Sequence, residues 1–489
     1  MLWNDMREYL ERLDQRGYLK TVCGAHWDLE IGAISELMIE RGGAALLFDE
    51  IPDYPKGFRV VANLEMQPRH FAVALGLDDS RPLPEMAATW EQTIRNIKLI
   101  PPQVVPSGPV LENVLSGDAI NVLKFPVPKW HEKDGNRYIG TGCCVVQQDP
   151  DTGFVNVGTY RVAVHDEKTC IIFTEANKHG DVIRRKFWDR GEKAPVLVSV
   201  GQEPTITLLS ECHGYRSPEG VSEFDVAGSF RGEPYPVVLG QSTGLPMPAA
   251  AEIVIEGYMP APDQALIPEG PFGEWTGYYA HGRAPETPIE VTAIYHRHDP
   301  IIWGSPPVRP VRANPQFDDL DLRTKRELEK QGIPGIEGVY VLARPDFRVV
   351  AIKQMYDEHV EEVMRALEPG GHHYHGNHTW VLVDDDIDIT NAQEVHWAIA
   401  SRLIPEHGVR VVPSTADWQL DPRVPPGVRT APKQDHSQDY GRTRYSAHNL
   451  ILNCCRPYAW RDQFPQVNVN SVELRRATVE KWRHLFDTV

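Results

Sequence analysis

Apolar residues recur at helical spacing near the start of the chain. Met6, Leu10 and Leu13 share one face and Gly17 follows as a stop, which predicts a first amphipathic helix. Ile31, Ile34, Leu37 and Met38 predict a second, closed by Gly42-Gly43, and Ala44 to Phe48 reads as a short apolar strand. Pro101-Pro102 and Pro106-Ser107-Gly108-Pro109 then mark a boundary. Beyond it the pattern changes to short strands: Cys143 to Gln147, Phe154 to Val164, Cys170 to Phe173, Pro195 to Val200, Ile253 to Tyr258, Pro288 to His296 and Ile301 to Trp303. Helical inserts are expected near Ile183 to Asp189 and Val221 to Phe230. Many strands with few helices predict a barrel-like β domain.

After Pro306-Pro307 the alternation of helix and strand returns. A charged helix is expected over Asp318 to Gln331, strands at Gly338 to Ala343, Phe347 to Ile352 and Trp380 to Val383, and helices near Glu358 to Leu367 and Ala392 to Arg402. The tail Val472 to Phe486 carries Leu474, Val479, Trp482 and Phe486 on one face, which must be buried on its own chain or on a partner. The expected organisation is an α+β / α/β multidomain chain. It comprises an N-terminal mixed α/β domain (1–110), a β domain (111–314), a C-terminal α/β domain (315–465) and a terminal amphipathic helix (466–489). No internal repeat or low-complexity segment interrupts it.

At 489 residues the chain is too long for one ordinary core, which agrees with two or three domains. No run of about 18 apolar residues predicts a membrane span. Charges interrupt the first residues too early for a signal peptide, so the cytoplasm is the expected compartment. Seven cysteines, four of them in the adjacent pairs Cys143-Cys144 and Cys454-Cys455, argue against a disulfide framework, and the absence of CxxC argues against a zinc ribbon. The formal net charge of −18 argues against wide nucleic-acid contact but not against a small anion held in a locally basic pocket.

Against this background a few residues stand out chemically. Pro268-Glu269-Gly270-Pro271-Phe272-Gly273-Glu274 places two carboxylates five residues apart in a turn-rich loop that can bring both to one point. Paired carboxylates in different environments can split their pKa values into a proton donor and a charged partner. The alternative is a surface turn with two solvated glutamates. In Phe154 to Arg161, Asn156 and Arg161 are an odd number apart, so a regular strand puts them on opposite faces unless Gly158 permits a bulge. An arginine among apolar strand residues is costly unless it meets an anion, and its planar fork suits a carboxylate. A surface arginine at a strand end is the other reading. Asn156, His179 and Glu223 would make an oxygen-rich set for a divalent cation if the fold brought them together. Gly371 to His378 holds four histidines, but their spacing matches no standard zinc pattern and a flexible loop is the simpler reading. There is no GxGxxG before a helix, no Walker loop and no GxSxG, so dinucleotide enzymes, NTPases and α/β-hydrolases lose weight.

Taken in order, these pieces resemble the UbiD decarboxylase family across nearly the whole chain. The resemblance rests on Asn156 to Arg161 followed by His179, the helix start at Glu223 and the Pro-Glu-Gly-Pro-Phe-Gly-Glu loop. It extends to Asp384-Asp385-Asp386-Ile387-Asp388-Ile389 and to Cys455-Arg456-Pro457. It implies a central split β-barrel, like that of flavin reductases, which binds prenylated FMN. It also implies reversible non-oxidative decarboxylation of an aromatic, heteroaromatic or α,β-unsaturated acid through a covalent adduct with that cofactor.

By position the family's Glu-Arg-Glu network maps to Glu269, Arg161 and Glu274, with Glu274 as proton donor. Cofactor contacts map to Asn156, Thr159, Tyr160, Arg161, Lys178, His179 and Glu223. Of these, Asn156, His179 and Glu223 would hold a divalent metal, usually Mn2+. Backbone carbonyls of Phe154, Cys212, His213 and Tyr215 would hold K+. Trp303, Arg309, Arg312 and Asn314 follow the last barrel strand and are candidates to face a planar substrate. A small-molecule carboxylic acid, a UbiX-type flavin prenyltransferase for cofactor supply and a homodimer or larger homo-oligomer are the implied partners. A flavin-binding protein or flavin reductase without decarboxylase activity is the rival reading.

Overall fold

The computed structural model describes residues 3–211, 215–274, 276–279, 282–309, 319–343, 347–368, 379–413 and 448–482. Near the N-terminus the amphipathic readings correspond to the helices Met6–Gln15 and Glu30–Glu40. The first buries Met6, Tyr9, Leu10 and Leu13, and Asp5 caps it by accepting from the Glu8 N–H. The second turns differently from its predicted face. Ile31 and Ile39 are buried, while Leu37 is 45% exposed.

Strands Leu19–Cys23, Ala45–Asp49, Arg59–Ala62 and Ile301–Gly304 form one sheet in that order. The last of these, read from sequence with the barrel strands, instead pairs in parallel with Arg59–Ala62. Its alternation of apolar residues cannot specify which sheet it joins.

The centre of the molecule is a ten-stranded sheet. Its longest strand, Ala284–His296, pairs with Thr169–Ile172, Ile253–Met259, Ile267–Glu269 and Asn113–Ser116. The segment read as one strand from Phe154 to Val164 is two, Val155–Gly158 and Val162–Val164. These lie six places apart along the sheet, yet only Thr159, Tyr160 and Arg161 join them. Four residue steps reach about 14 Å, whereas six strand spacings in a flat sheet span about 29 Å. The sheet must therefore curl until its ends approach. That curl brings Arg161, in the link, to the inside of the curve. The core within the curve includes Tyr138, Ile139, Val145, Val198, Ile255, Phe272 and Ile289, and it is continuous with Phe48 and Val60 of the N-terminal sheet and Ile31 of the helix Glu30–Glu40.

The C-terminal part is a five-stranded sheet in the order Ile336–Ala343, Phe347–Ile352, Thr379–Asp384, His448–Asn453, Val409–Pro413. Val350, Ile352, Trp380 and Leu382 face the helix His359–Ala366, while Val349, Ala351, Val381 and Val383 face Ala392–Arg402. Successive residues point to opposite faces, so near-continuous apolar strands require helices on both sides. The terminal helix Val472–Lys481 leaves Leu474, Val479 and Trp482 54%, 49% and 44% exposed. Phe486 and the histidines at 372, 373, 375 and 378 lie outside the described residues. No described helix is long and apolar enough to cross a membrane. Among the described residues all six cysteines are free.

Candidate active site

The two glutamates of the turn-rich loop do meet at one point. Glu269 ends the short strand Ile267–Glu269, which pairs with Ala284–His296. Gly270, at φ +85°, then turns the chain into a cis Gly270–Pro271 peptide and on to Glu274. The guanidinium of Arg161 lies between the carboxylates. Its Nε and Nη2 donate to Glu269 Oε1 and Oε2 at 3.0 and 2.8 Å, and its Nη1 donates to Glu274 Oε1 at 2.6 Å. Phe173 lies 4.1 Å beneath the guanidinium and Phe272 5.6 Å away. All three charged side chains are under one tenth exposed.

Burial pushes the Glu274 carboxyl up to about 7, with Glu175 and Glu269 adding to the effect and Arg161 opposing it. Burial alone would lower the Arg161 pKa, but Glu274 and Glu269 outweigh it and leave the guanidinium more firmly charged than usual. The arrangement is thus a fixed cation between two carboxylates, one of which holds a proton near neutral pH. That combination suits acid catalysis.

Asn156, His179 and Glu223 lie on three elements that adjoin along the strand Val155–Gly158. Asn156 lies on Val155–Gly158, His179 is the first residue of the helix His179–Trp188, and Glu223 is the first residue of Glu223–Arg231. Glu223 Oε2 accepts from the Val157 N–H at 2.9 Å. The His179 ring meets Phe154 edge-on at 5.7 Å. The next residue, Gly180, donates its N–H to Tyr160 Oη at 3.0 Å, and its carbonyl accepts from Gln147, whose strand partner is Asn156.

The polar groups of this set are underused by the protein itself. The Asn156 amide nitrogen is buried without a partner, and turning the amide over would present its oxygen instead. Burial pushes Glu223 up to about 7 and, aided by Arg216, lowers His179, leaving the imidazole neutral. A cation there would reverse the penalty on Glu223 and find a neutral ring nitrogen to bind. Two helix N-termini beside one strand also favour an anion such as a phosphate.

Comparison with known proteins places this geometry. Three family models of 3-octaprenyl-4-hydroxybenzoate carboxy-lyase match in order: the N-terminal domain over residues 10–90, the Rift-related domain over 103–310 and the C-terminal domain over 322–433. The chain belongs to the UbiD carboxy-lyase family. A relative across nearly the whole length is the pyrrole-2-carboxylic acid decarboxylase of Pseudomonas aeruginosa. It is 29% identical, and the match covers 98% of this chain and 97% of that one. Among solved structures, vanillic acid decarboxylase of Sedimentibacter hydroxybenzoicus in an open form has TM-score 0.82 at 23% identity, covering 98% and 99% of the two chains. The UbiD-class enzyme HmfF of Pelotomaculum thermopropionicum has been solved with FMN (TM-score 0.78, 24% identity, 96% and 98% covered). An evolved dimeric form of HmfF with prFMN aligns at TM-score 0.76, with 23% identity and the same coverage.

Other candidate residues of this UbiD chain fall into distinct places. Thr159 Oγ1 bonds the Cys143 carbonyl and Ser210 Oγ at 3.2 and 2.8 Å, so it ties the link to neighbouring elements. Lys178 precedes the first residue of His179–Trp188 without a side-chain capping bond, and its ammonium lies 3.7 Å from Glu175. Phe154 and Tyr215 are described; Cys212, His213, Arg312 and Asn314 are not. Trp303 is buried in the N-terminal core with Trp3, Phe71 and Trp90. Just beyond it, Pro307 comes within 3.6 Å of where a side chain on Gly273 would begin, and Arg309 is exposed.

The C-terminal motifs converge on structure rather than on either set of residues. Asp384 accepts from Arg402, Gln354 and both the backbone and side chain of Arg456.

Three residues beside the carboxylates carried no sequence signal: Tyr138, Phe173 and Glu175. Tyr138 donates to Glu269 Oε1 at 2.6 Å and packs on Phe272 at 4.1 Å. It lies on the short strand Arg137–Gly140, where nothing in Asn136-Arg137-Tyr138-Ile139-Gly140 marks the tyrosine for chemistry.

Proposed function

We propose that this UbiD-family chain carries out reversible, non-oxidative decarboxylation of an aromatic, heteroaromatic or α,β-unsaturated carboxylic acid with prenylated FMN. The observation that carries the reading is Arg161 held between Glu269 and a Glu274 raised to about 7. The decarboxylase and prFMN-bound relatives support the class of reaction and cofactor. A split barrel of the flavin-reductase kind, spanning 111–314 between N-terminal (1–110) and C-terminal (315–465) domains, is the proposed architecture. The curled central sheet supports it.

Prenylated FMN, when bound, supplies the sink for the electron pair left as CO2 departs. The chain supplies the rest. Arg161 binds the substrate carboxylate and orients Glu274. Glu269 balances the guanidinium, so that Glu274 is not held ionised. Burial by Phe173 and Phe272 keeps water out and keeps Glu274 protonated. Glu274 then delivers its proton to the carbon that loses CO2, and in the reverse direction removes one.

Asn156, His179 and Glu223, with Thr159, Tyr160 and Lys178 nearby, are the proposed cofactor contacts. The first three would hold Mn2+ or a similar divalent cation, which would offset the charge of the cofactor's phosphate. A K+ ion beside it would use backbone carbonyls at Phe154, Cys212, His213 and Tyr215. The exposed face of Val472–Lys481 supports a homo-oligomer. A UbiX-type prenyltransferase supplies the cofactor, and the cytoplasm is the proposed compartment. Pro307 beside Gly273 supports substrate contacts from this segment, and a planar, polar ring is the proposed substrate.

The deciding experiment is a CO2-release screen over aromatic, heteroaromatic and acrylic acids with cofactor-loaded protein. Release from at least one acid is expected, and none from any would overturn the reading. If the rival flavin carrier or reductase were right, protein made with and without a prenyltransferase would carry the same flavin absorbance. His179→Ala and Glu223→Ala are each expected to lose manganese and flavin together. Metal analysis that finds wild-type manganese in both would remove the assignment of these residues.

A further inference from the structure

Residues 134–138 grip the loop that carries both glutamates. The Gly135 N–H donates to the Pro271 carbonyl at 2.9 Å, Asn136 Oδ1 accepts from the Gly270 N–H at 3.2 Å, and Asp134 Oδ1 accepts from Tyr279 Oη at 3.1 Å. Position 135 admits only glycine, because a Cβ there would lie 1.8 Å from the Gly270 carbonyl oxygen. At the end of this segment Tyr138 Oη donates to Glu269 Oε1 at 2.6 Å.

The hydrogen bonds on the two carboxylates are unequal. Glu269 accepts three, from Tyr138 Oη, Arg161 Nε and Arg161 Nη2. Both its oxygens face donors, so a proton on Glu269 would displace one of them. Among the described residues, Glu274 has Arg161 Nη1 as its side-chain partner. The charged and titratable groups that face this pair are Arg161 from the link between strands, Tyr138 and Asp134 from the gripping segment, and Glu175 beside Lys178. Tyr138 is buried and flanked by carboxylates, which raises its pKa and keeps its hydroxyl a donor.

We propose that Tyr138 is a positioning residue that decides which carboxylate holds the shared proton: by donating to Glu269 it keeps Glu269 an anion and leaves the proton on Glu274. This rests on the reading of Glu274 as proton donor. Without the hydroxyl, the state with Glu269 ionised loses a charge-assisted bond, whereas the state with the proton on Glu269 loses at most a weaker neutral one. Part of the singly protonated pair then carries its proton on the residue that does not deliver it.

The test is Tyr138→Phe, which removes one oxygen and keeps the ring on Phe272. Flavin content is expected to match wild type and kcat to fall. The acidic limb of the kcat profile is expected to move up by about one pH unit, the size associated with one hydrogen bond to a charged group. Tyr279→Phe releases the other end of the loop without touching either carboxylate, and its acidic limb should stay in place.

The second readout is infrared titration of flavin-free protein. The protonated-carboxyl band absent from Glu269→Gln should grow in at higher pH in Tyr138→Phe than in wild type. An unmoved limb and band in Tyr138→Phe overturn the proposal. So does an equal shift in Tyr279→Phe, which would make the effect one of loop placement. If wild-type holoenzyme turns over no acid, the decarboxylase reading fails, and the infrared titration alone decides the role of Tyr138.

Discussion

Glu274→Gln is expected to lower kcat by about 10²–10⁴-fold while flavin stays bound, the range over which a positioned general acid contributes. Glutamine keeps the shape of the side chain and an oxygen to accept from Arg161 Nη1, now 2.6 Å from Glu274 Oε1. What it lacks is a transferable proton. The proposed cofactor contacts Asn156, His179 and Glu223 are built on other elements than Glu274, so flavin absorbance should not change. Wild-type protein adds a signature of its own. The Glu274 carboxyl is pushed up to about 7 by burial, so its protonated fraction falls as pH rises through that value. Decarboxylation should decline over the same range. A Glu274→Gln variant at wild-type rate, or a wild-type profile flat from pH 6 to 9, would mean that the proton comes from elsewhere.

Arg161→Lys is expected to be severely impaired although the charge is kept. The guanidinium directs Nε and Nη2 to Glu269 and Nη1 to Glu274 in one plane. An ammonium on a flexible stem cannot hold two buried carboxylates, and a substrate carboxylate besides, in fixed geometry. Losing one such contact with the partner left buried costs about 2–5 kcal/mol. Each 1.36 kcal/mol is tenfold in rate, so kcat/KM should fall by about 30-fold or more.

The pH profile should change with it. Arg161 opposes the effect of burial on Glu274. A weaker partner therefore lets that pKa rise, and the basic limb should move to higher pH. Steady-state kinetics beside a flavin spectrum of the same preparation test both points. A variant within threefold of wild type would reduce Arg161 to a strand-end charge, and the Glu-Arg-Glu reading would fall with it.

Much of the architecture was legible because apolar periodicity is a local property. Met6–Gln15, Cys143–Gln148, Ile253–Met259, Phe347–Ile352 and Ala392–Arg402 were read to within a residue or two. The readings that failed were those that depend on partners. Phe154 to Val164 reads as one strand by its recurring valines, and that local pattern does not show that the chain leaves one end of the sheet at Gly158 and rejoins it near the other at Val162. Ile301–Gly304 is a strand by composition, but only assembly shows that it pairs with Arg59–Ala62.

The site divides along the same line. Side-chain chemistry drew attention to Glu269, Glu274 and Arg161, because charged groups beside glycine, proline and apolar strands need a reason to be there, whereas the roles of Asn156, His179 and Glu223 came from the family resemblance carried by the order of motifs. Whether two glutamates five residues apart were a solvated turn or a buried pair was a question of environment. The answer came from the curled sheet, which encloses Arg161 and puts Phe173 and Phe272 around it. The rise of Glu274 to about 7 has no local cause, since desolvation is set by what the rest of the chain places around a group. Tyr138 is the clearest case. Its sequence neighbours give it no role, and its bond to Glu269 spans 131 positions of chain. Residue type and local pattern thus determined which groups were available for chemistry. Long-range packing decided which of them touch, which are dry, and which carboxylate keeps a proton.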